Sequence, residues 1–261
     1  MTPSEPPSIR TTVAQLDPVL GDVQANRETI EATLARARAH QSDLVVFPEL
    51  FLTGYHIGDE PAQLTREATQ ALEAIREQTA DIACVVGTPT LEDGEIYNSA
   101  VVLEDEAVKG TYHKTHLYAD EHDIFTPGDR FPTIETSLGT LGVEICYDLE
   151  FPEVARALAV DGIDLLLTMS ANMHPHAHDQ QLYHGTRAIE NSVPHVLCNR
   201  VGAERGVDFF GKSGIVDRRG QQVLGLGADV EETTSATIEM QPDRTHIHDY
   251  LEQRRPEIYD S

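Results

Sequence analysis

The sequence predicts an α/β domain built on a mixed sheet or on two layered sheets. Three observations predict it. Short continuous apolar runs, such as residues 43–48 (DLVVFP), alternate with amphipathic helical stretches early in the chain and again late. Antiparallel hairpin signals fall between these two regions, which argues against a purely parallel barrel. Hydrophobic residues make up 40% of the 261, enough for a sizeable core.

Residues 9–16 are β-rich and follow a polar, Pro-rich tail at 1–8, so they form a plausible first strand. Asp22 can cap the helix that follows, in which Val23, Ile30, Leu34 and Ala37 recur at helical spacing. The strand at 43–48 leads to a second helix with Leu64, Ala68, Leu72 and Ile75 on one face. A buried strand at 82–87 precedes the turn pair Asp93-Gly94, and 96–103 and 107–112 flank an acidic turn. Residues 114–130 are polar and read as a long loop, a feature that in compact domains is usually functional or disordered. Strands at 141–146, 164–169 and 195–199 are interleaved with helices at 151–160 and 178–191. A hairpin at 213–217 and 222–226 turns at Arg219-Gly220, and a strand at 234–240 precedes a polar, Arg-bearing tail. One domain is expected over 9–245, with tails at 1–8 and 246–261.

The charge is strongly negative, with 44 acids against 19 Lys and Arg and a net charge of −25. A surface of that sign repels phosphate backbones and anionic lipid, so neither nucleic acid nor membrane is an expected partner. No apolar run approaches the roughly 18 residues that span a bilayer. The three cysteines make no disulfide framework, and a cytoplasmic protein is expected. The acids are dispersed, and only Lys109, Lys114 and Lys212 are lysines. Dispersed acids keep a surface hydrated when salt screens repulsion, which points to a salt-accumulating, halophilic cytoplasm rather than an ordinary acidic one.

Three segments could carry chemistry. Cys146 ends a buried strand just before a helix begins near Phe151-Pro152, a setting that lowers a thiol pKa and offers an oxyanion site. By position alone it reads equally well as a small core hydrophobe. Cys84 and Cys198 lie within apolar runs and read as core. Glu49 follows the buried run LVVFP, where poor solvation raises a carboxyl pKa and suits it to proton transfer. A solvent-facing strand-end acid is the plain alternative. Lys114 ends another strand in a chain that nearly always uses Arg, which suggests a need for a compact ammonium.

Glu49 in VVFPELFLTGY, Lys114 in YHKTHLY and Cys146 in GVEICYDLEFPE together resemble the Glu-Lys-Cys triad of the nitrilase superfamily, the carbon–nitrogen hydrolases. Phe125-Thr126-Pro127-Gly128-Asp129, Arg187-Ala188-Ile189-Glu190-Asn191, Asn199-Arg200-Val201-Gly202, Gly211-Lys212-Ser213-Gly214-Ile215 and Arg254-Arg255-Pro256-Glu257-Ile258-Tyr259 resemble further family segments, so the likeness covers nearly the whole chain. It implies a four-layer α-β-β-α sandwich with mixed sheets. It also implies that Cys146 attacks an amide or nitrile carbon and that Glu49 moves the protons. Lys114 and the Tyr147 backbone N–H would stabilise the oxyanion. By position Glu121 matches a second glutamate in the loop after the lysine, holding Lys114 and positioning substrate, with Asp120 and Asp123 as rivals. Tyr55, Asn172 and His174 are expected at the pocket. Neither a cofactor nor a metal is expected, and the resemblance suggests a homodimer or higher oligomer, with the helix after Cys146 and the tail from about His246 as interface candidates.

One departure is Glu150, where many family amidases carry Arg. His174, His176 and His178 have period-2 spacing and on an extended segment would share a face, as a transition-metal site needs; a metal-dependent hydrolase built on them is the third reading. The first reading is a thiol hydrolase that cleaves a small linear amide through a Cys146 thioester, with nitriles and N-carbamoyl compounds as alternatives. The second is a non-catalytic binding or assembly module.

Overall fold

A computed structural model describes residues 7–240 and 250–259. The expected tail residues 1–6, 246–249, 260 and 261 lie outside the described residues. The chain runs β1 (Ser8–Gln15), α1 (Val23–Ala39), β2 (Leu44–Val46), α2 (Pro61–Arg76), β3 (Ala83–Glu92), β4 (Glu95–Glu104) and β5 (Ala107–His113). It continues through β6 (Thr133–Thr136), β7 (Gly139–Ile145), α3 (Pro152–Val160), β8 (Leu165–Ser170), α4 (Ala177–Asn191) and β9 (His195–Asn199). β10 (Val201–Glu204), β11 (Val207–Phe210), β12 (Gly214–Val216), β13 (Gln222–Gly225) and β14 (Glu232–Glu239) follow.

Two six-stranded sheets form, ordered β14-β1-β2-β3-β4-β5 and β13-β12-β9-β8-β7-β6. Each has a parallel centre, β1-β2-β3 in one and β7-β8-β9 in the other, with antiparallel strands outside it. Side-chain alternation along a strand explains the layers. In β2, Val45 faces α1 and α2 with Ile30, Leu34, Ala68 and Ile75, whereas Leu44 and Val46 face Val143, Leu167, Met169 and Val196 of the other sheet. A third cluster, Val154, Ala155, Leu158, Leu166 and Val193, seats α3 on the second sheet. The result is an α-β-β-α sandwich. Each aliphatic side chain fully buried there contributes about 1.5–3 kcal/mol relative to exposure.

Local signals held where they were chemical. The Asp22 side chain accepts from the Ala25 N–H at 3.0 Å and caps α1. Asp93 and Gly94 both take positive φ, 50° and 88°, as a two-residue hairpin turn requires. Two elements were not expected. β6 is a four-residue strand, and the β10–β11 hairpin is short, charged and interrupted by Arg205-Gly206, so neither shows a period-2 apolar pattern. The long loop also contains a 3-10 turn at Ala119–Asp123.

A buried polar chain crosses the second sheet. Glu144 Oε1 lies 2.6 Å from the Thr168 hydroxyl, which lies 2.6 Å from His195 Nε2; His195 Nδ1 donates to the His184 carbonyl at 3.0 Å. Burial pushes the Glu144 carboxyl up to about 8 and His195 well below its ordinary value. One proton assignment gives each of these bonds a donor and an acceptor, with Glu144 Oε2 left unpartnered. Neutral Glu144 donates to Thr168, Thr168 donates to His195 Nε2, and His195 stays neutral. A carboxyl raised in the folded state supplies stability at low pH and loses it as pH rises from its unfolded value through about 8. Glu144→Gln mimics the neutral acid without titrating. Thermal unfolding should therefore show the wild type losing ground to Glu144→Gln between pH 5 and 8, by about 1.4 kcal/mol per pH unit at most. A difference that does not change with pH would refute the assignment.

Candidate active site

The carboxyl ends of the parallel strands in both sheets converge, and the three expected reactive residues stand there. Glu49 lies three residues past the end of β2, is 1% exposed, and turns into a left-handed Leu50 at φ 48°. β3 runs tight against this turn: a Cβ on Gly87 would sit 2.2 Å from the Pro48 carbonyl oxygen and 2.6 Å from the Leu50 nitrogen, so only glycine fits. Asn98 Nδ2 donates to Glu49 Oε1 at 2.8 Å, and the Ala171 N–H donates to Oε2 at 2.8 Å.

Lys114 directly follows β5 and is fully buried. Its N–H donates to the Asn98 carbonyl, and its own carbonyl accepts from the Gly128 N–H, both at 2.8 Å. A Cβ on Gly128 would meet the His113 carbonyl oxygen at 2.3 Å, which is why the Phe125–Asp129 segment needs glycine at that place. The Lys114 ammonium donates to Glu49 Oε1 and to Glu121 Oε1, at 2.7 Å each. An ammonium has three protons, so one N–H remains for a ligand.

Cys146 directly follows β7 at φ 48°, a left-handed conformation that costs a non-glycine residue about 1–3 kcal/mol and that here turns the strand into a 3-10 helix, Cys146–Glu150. Unlike Cys84 and Cys198, which are fully buried, Cys146 is partly exposed. Its thiol is pushed up by desolvation and by the Glu49 carboxylate, and Lys114 only partly opposes this. The expectation of a lowered thiol pKa is thus reversed. The backbone N–H groups of a first helical turn are close by, but enclosure and a neighbouring anion outweigh them. The site holds a neutral thiol that needs a base to attack.

The carboxylate expected to serve as that base, Glu49, stands close to the thiol. Burial raises Glu49 above the ordinary carboxylate range, and Lys114 holds the rise in check. Desolvation alone would push the Lys114 ammonium down, but Glu49 and Glu121 together drive it above its ordinary value, so it stays charged.

Glu121 is 3% exposed at the third position of the 3-10 turn, and its Oε2 accepts from the Tyr118 N–H at 3.0 Å. Its rivals Asp120 and Asp123 are exposed. Tyr55 joins the array: its hydroxyl donates to Glu121 Oε1 at 2.7 Å. Tyr147 stands at the second position of the Cys146–Glu150 turn, where backbone N–H groups have no partner within the helix; its ring meets Tyr118 and Phe151 edge-on. Asn172 exchanges backbone and side-chain bonds with Asn199. The structure does not bring His174 into the array. Its imidazole is half exposed, 3.1 Å from Asp229, and packs on Phe210. The shared-face reading of the three histidines is also corrected, because α4 begins at Ala177 and breaks the extended run. Among the described residues no group of three His, Cys, Asp or Glu is placed to hold a metal ion. Glu150 is exposed near His176 and Asp179.

Sequence reasoning missed two supporting residues. Asn98 is a polar position inside the apolar strand IYNSAVVL, and that break in pattern was its only signal. Asp148 is fully buried and ties the lysine segment to the cysteine segment. It accepts from Tyr112 OH at 2.7 Å, Thr115 Oγ1 at 2.9 Å, and the N–H groups of His116 and Ile145 at 2.9 and 3.0 Å.

Comparison with known proteins decides the family. The family model described as carbon-nitrogen hydrolase matches residues 10–243. This chain is a carbon–nitrogen hydrolase. Among its relatives, a probable nitrilase of Schizosaccharomyces pombe is 33% identical over 94% of this chain and 95% of its own. An (R)-stereoselective amidase of Pseudomonas sp. is 35% identical over 83% of this chain and 81% of its own. A mutant amidase from Nesterenkonia sp. AN1 superposes with a TM-score of 0.88 at 29% identity, covering all of this chain and 98% of that one, and carries the acetamide moiety of fluoroacetamide covalently added at its active-site cysteine. This carbon–nitrogen hydrolase therefore shares the nitrilase-superfamily fold with relatives that include amidases and nitrilases. No described helix is long and apolar enough to cross a membrane.

Proposed function

We propose that this hydrolase cleaves the C–N bond of a small linear amide through a thioester on Cys146. The reading rests on one observation: a buried ammonium, Lys114, bridges two buried carboxylates beside a partly exposed cysteine, Cys146, at a strained strand end. Glu49 takes the Sγ proton as sulfur attacks the carbonyl carbon. The free Lys114 N–H and the Tyr147 N–H then meet the oxyanion, and such donors are worth about 3 kcal/mol each in a water-poor site. Glu49 returns its proton to the nitrogen, the C–N bond breaks and ammonia or an amine leaves. Water, deprotonated by Glu49, attacks the thioester, and the acid departs as Cys146 regains its proton. Glu121, held by Tyr55 and Lys114, orients the substrate nitrogen. Asn172 and Tyr55 line the approach.

The acetamide adduct in the Nesterenkonia amidase supports a short amide. Relatives named nitrilases support a nitrile as the second reading, because the same array serves both chemistries. A panel of aliphatic amides, ω-amides of dicarboxylates, N-carbamoyl compounds and nitriles, assayed for ammonia release in multimolar KCl, separates these readings. Turnover of short amides is expected, and turnover of nitriles alone would overturn the first reading. Ammonia from no member of the panel would favour a binding or assembly module.

The domain is read as 9–245, in a cytoplasmic, halophilic setting. Thermal stability should rise steeply from low to multimolar KCl, and equal stability at both would sink the halophile reading. A homodimer is proposed through α3, α4 and residues 250–259, where Val160, Ile189, Tyr250, Ile258 and Tyr259 are exposed. Light scattering in high salt measures it.

A further inference from the structure

The β10–β11 hairpin belongs to neither large sheet, yet it carries one of the most heavily bonded carboxylates in the molecule. Glu204, at the end of β10, is 5% exposed. Its Oε1 accepts from the His56 backbone N–H at 2.5 Å and lies 2.8 Å from His56 Nδ1. Its Oε2 accepts from the Tyr55 N–H at 3.2 Å and from Arg200 at 2.6 Å. Arg200 is itself buried, donates to Asp17 at 2.8 Å, and lies 4.1 Å above the Phe209 ring, which meets Tyr55 edge-on. The fit is tight: a Cβ on Gly54 would come within 2.9 Å of Glu204 Oε2, and Gly54 holds φ at 80°. Burial works against the Glu204 carboxylate, but His56 and Arg200 hold it down at about 2, so it is ionised at any working pH.

The hydrogen bonds continue from this clamp to the reactive array. Tyr55 donates to Glu121 Oε1, and the same oxygen receives Lys114 Nζ. We propose that Glu204 is a positioning residue for the hydrolysis. By accepting the Tyr55 and His56 backbone amides it fixes the Tyr55 hydroxyl on Glu121, and through Glu121 the Lys114 ammonium. The inference rests on the function proposed above, in which Glu121 and Lys114 act on the substrate. Once Glu204 is removed, the 54–56 turn loses its acceptor, the Tyr55 hydroxyl leaves Glu121, and the ammonium is left with fewer constraints. A Tyr55→Phe change removes the same constraint at its far end.

A double-mutant cycle tests this, with kcat and KM measured on the best amide of the panel and Tm recorded for each variant. Glu204→Ala and Tyr55→Phe should each lower kcat about tenfold, the scale of one hydrogen bond to a charged group, with KM changed less than about threefold. The double variant should fall no more than about twofold below the worse single, because both changes cut one chain. A structural role alone would lower Tm and leave kcat per folded molecule unchanged in Glu204→Ala. Should Glu204→Ala not fold, Glu204→Gln keeps one acceptor oxygen, enough for one of the two amides, at nearly the same shape. It should then lose less than tenfold in kcat, and that loss too should vanish in the Tyr55→Phe background. Losses that multiply in the folded pair, or an unchanged kcat in the Glu204 variant, overturn the proposal. Lys114→Ala, run alongside, separates the two readings: full activity there removes the function proposed above, whereas an inactive Lys114→Ala with multiplying losses removes only the clamp.

Discussion

Cys146→Ala should abolish ammonia release while leaving the fold in place. The left-handed backbone at Cys146 is equally awkward for both residues, and only one sulfur atom is removed from a partly exposed residue, so the cavity left is small. Stability should change by no more than about 1 kcal/mol. Activity should fall by roughly 10⁴-fold or more, the scale at which removal of a covalent nucleophile acts. Iodoacetamide followed by mass spectrometry gives an independent readout. Cys146 should be alkylated well before Cys84 and Cys198, which are fully buried, with Cys84 pushed up to about 12 by desolvation. Because the Cys146 thiol is itself raised, its advantage comes from access and from Glu49 as a local base rather than from a standing thiolate. Turnover surviving in Cys146→Ala would end the thioester mechanism.

Lys114→Ala is the second large effect, and it acts on stability and rate together. Removing the ammonium leaves Glu49 and Glu121 buried beside each other without a shared cation. Breaking a buried pair from one side costs about 3–5 kcal/mol. The sign with pH follows. Without Lys114 the raised Glu49 carboxyl rises further, so the folded state takes up a proton and the deficit is smallest in acid and grows as pH rises. Thermal unfolding at pH 5 and 8 should show this widening gap. The rate should drop by about 10² to 10³, as with the loss of one oxyanion donor. A kcat within tenfold of the wild type would show that Lys114 is a structural cation.

Much of the site was legible because it is written in short segments. Each candidate reactive residue stands at the end of a strand whose apolar run is visible in the chain, as with LVVFP before Glu49 and the strand before Cys146. Lys114 stood out because a chain with three lysines had not replaced it. The supporting residues were not legible. Asn98, Asp148 and Glu204 are ordinary polar residues, and what sets them apart is the partners they find 49, 36 and 149 positions away, in Glu49, Tyr112 and Tyr55.

The sequence by itself determined the alternation of strand and helix, the turn chemistry at Asp93-Gly94 and the capping at Asp22, because these depend on neighbours a few residues apart. It also determined the order of the three candidate reactive residues. Only the tertiary structure decided the charge state around them. The setting that looked in one dimension as if it would acidify the Cys146 thiol does the reverse once Glu49 is folded against it. A pKa follows from desolvation and from charges within a few ångströms, and both are fixed by which strand ends meet rather than by sequence proximity.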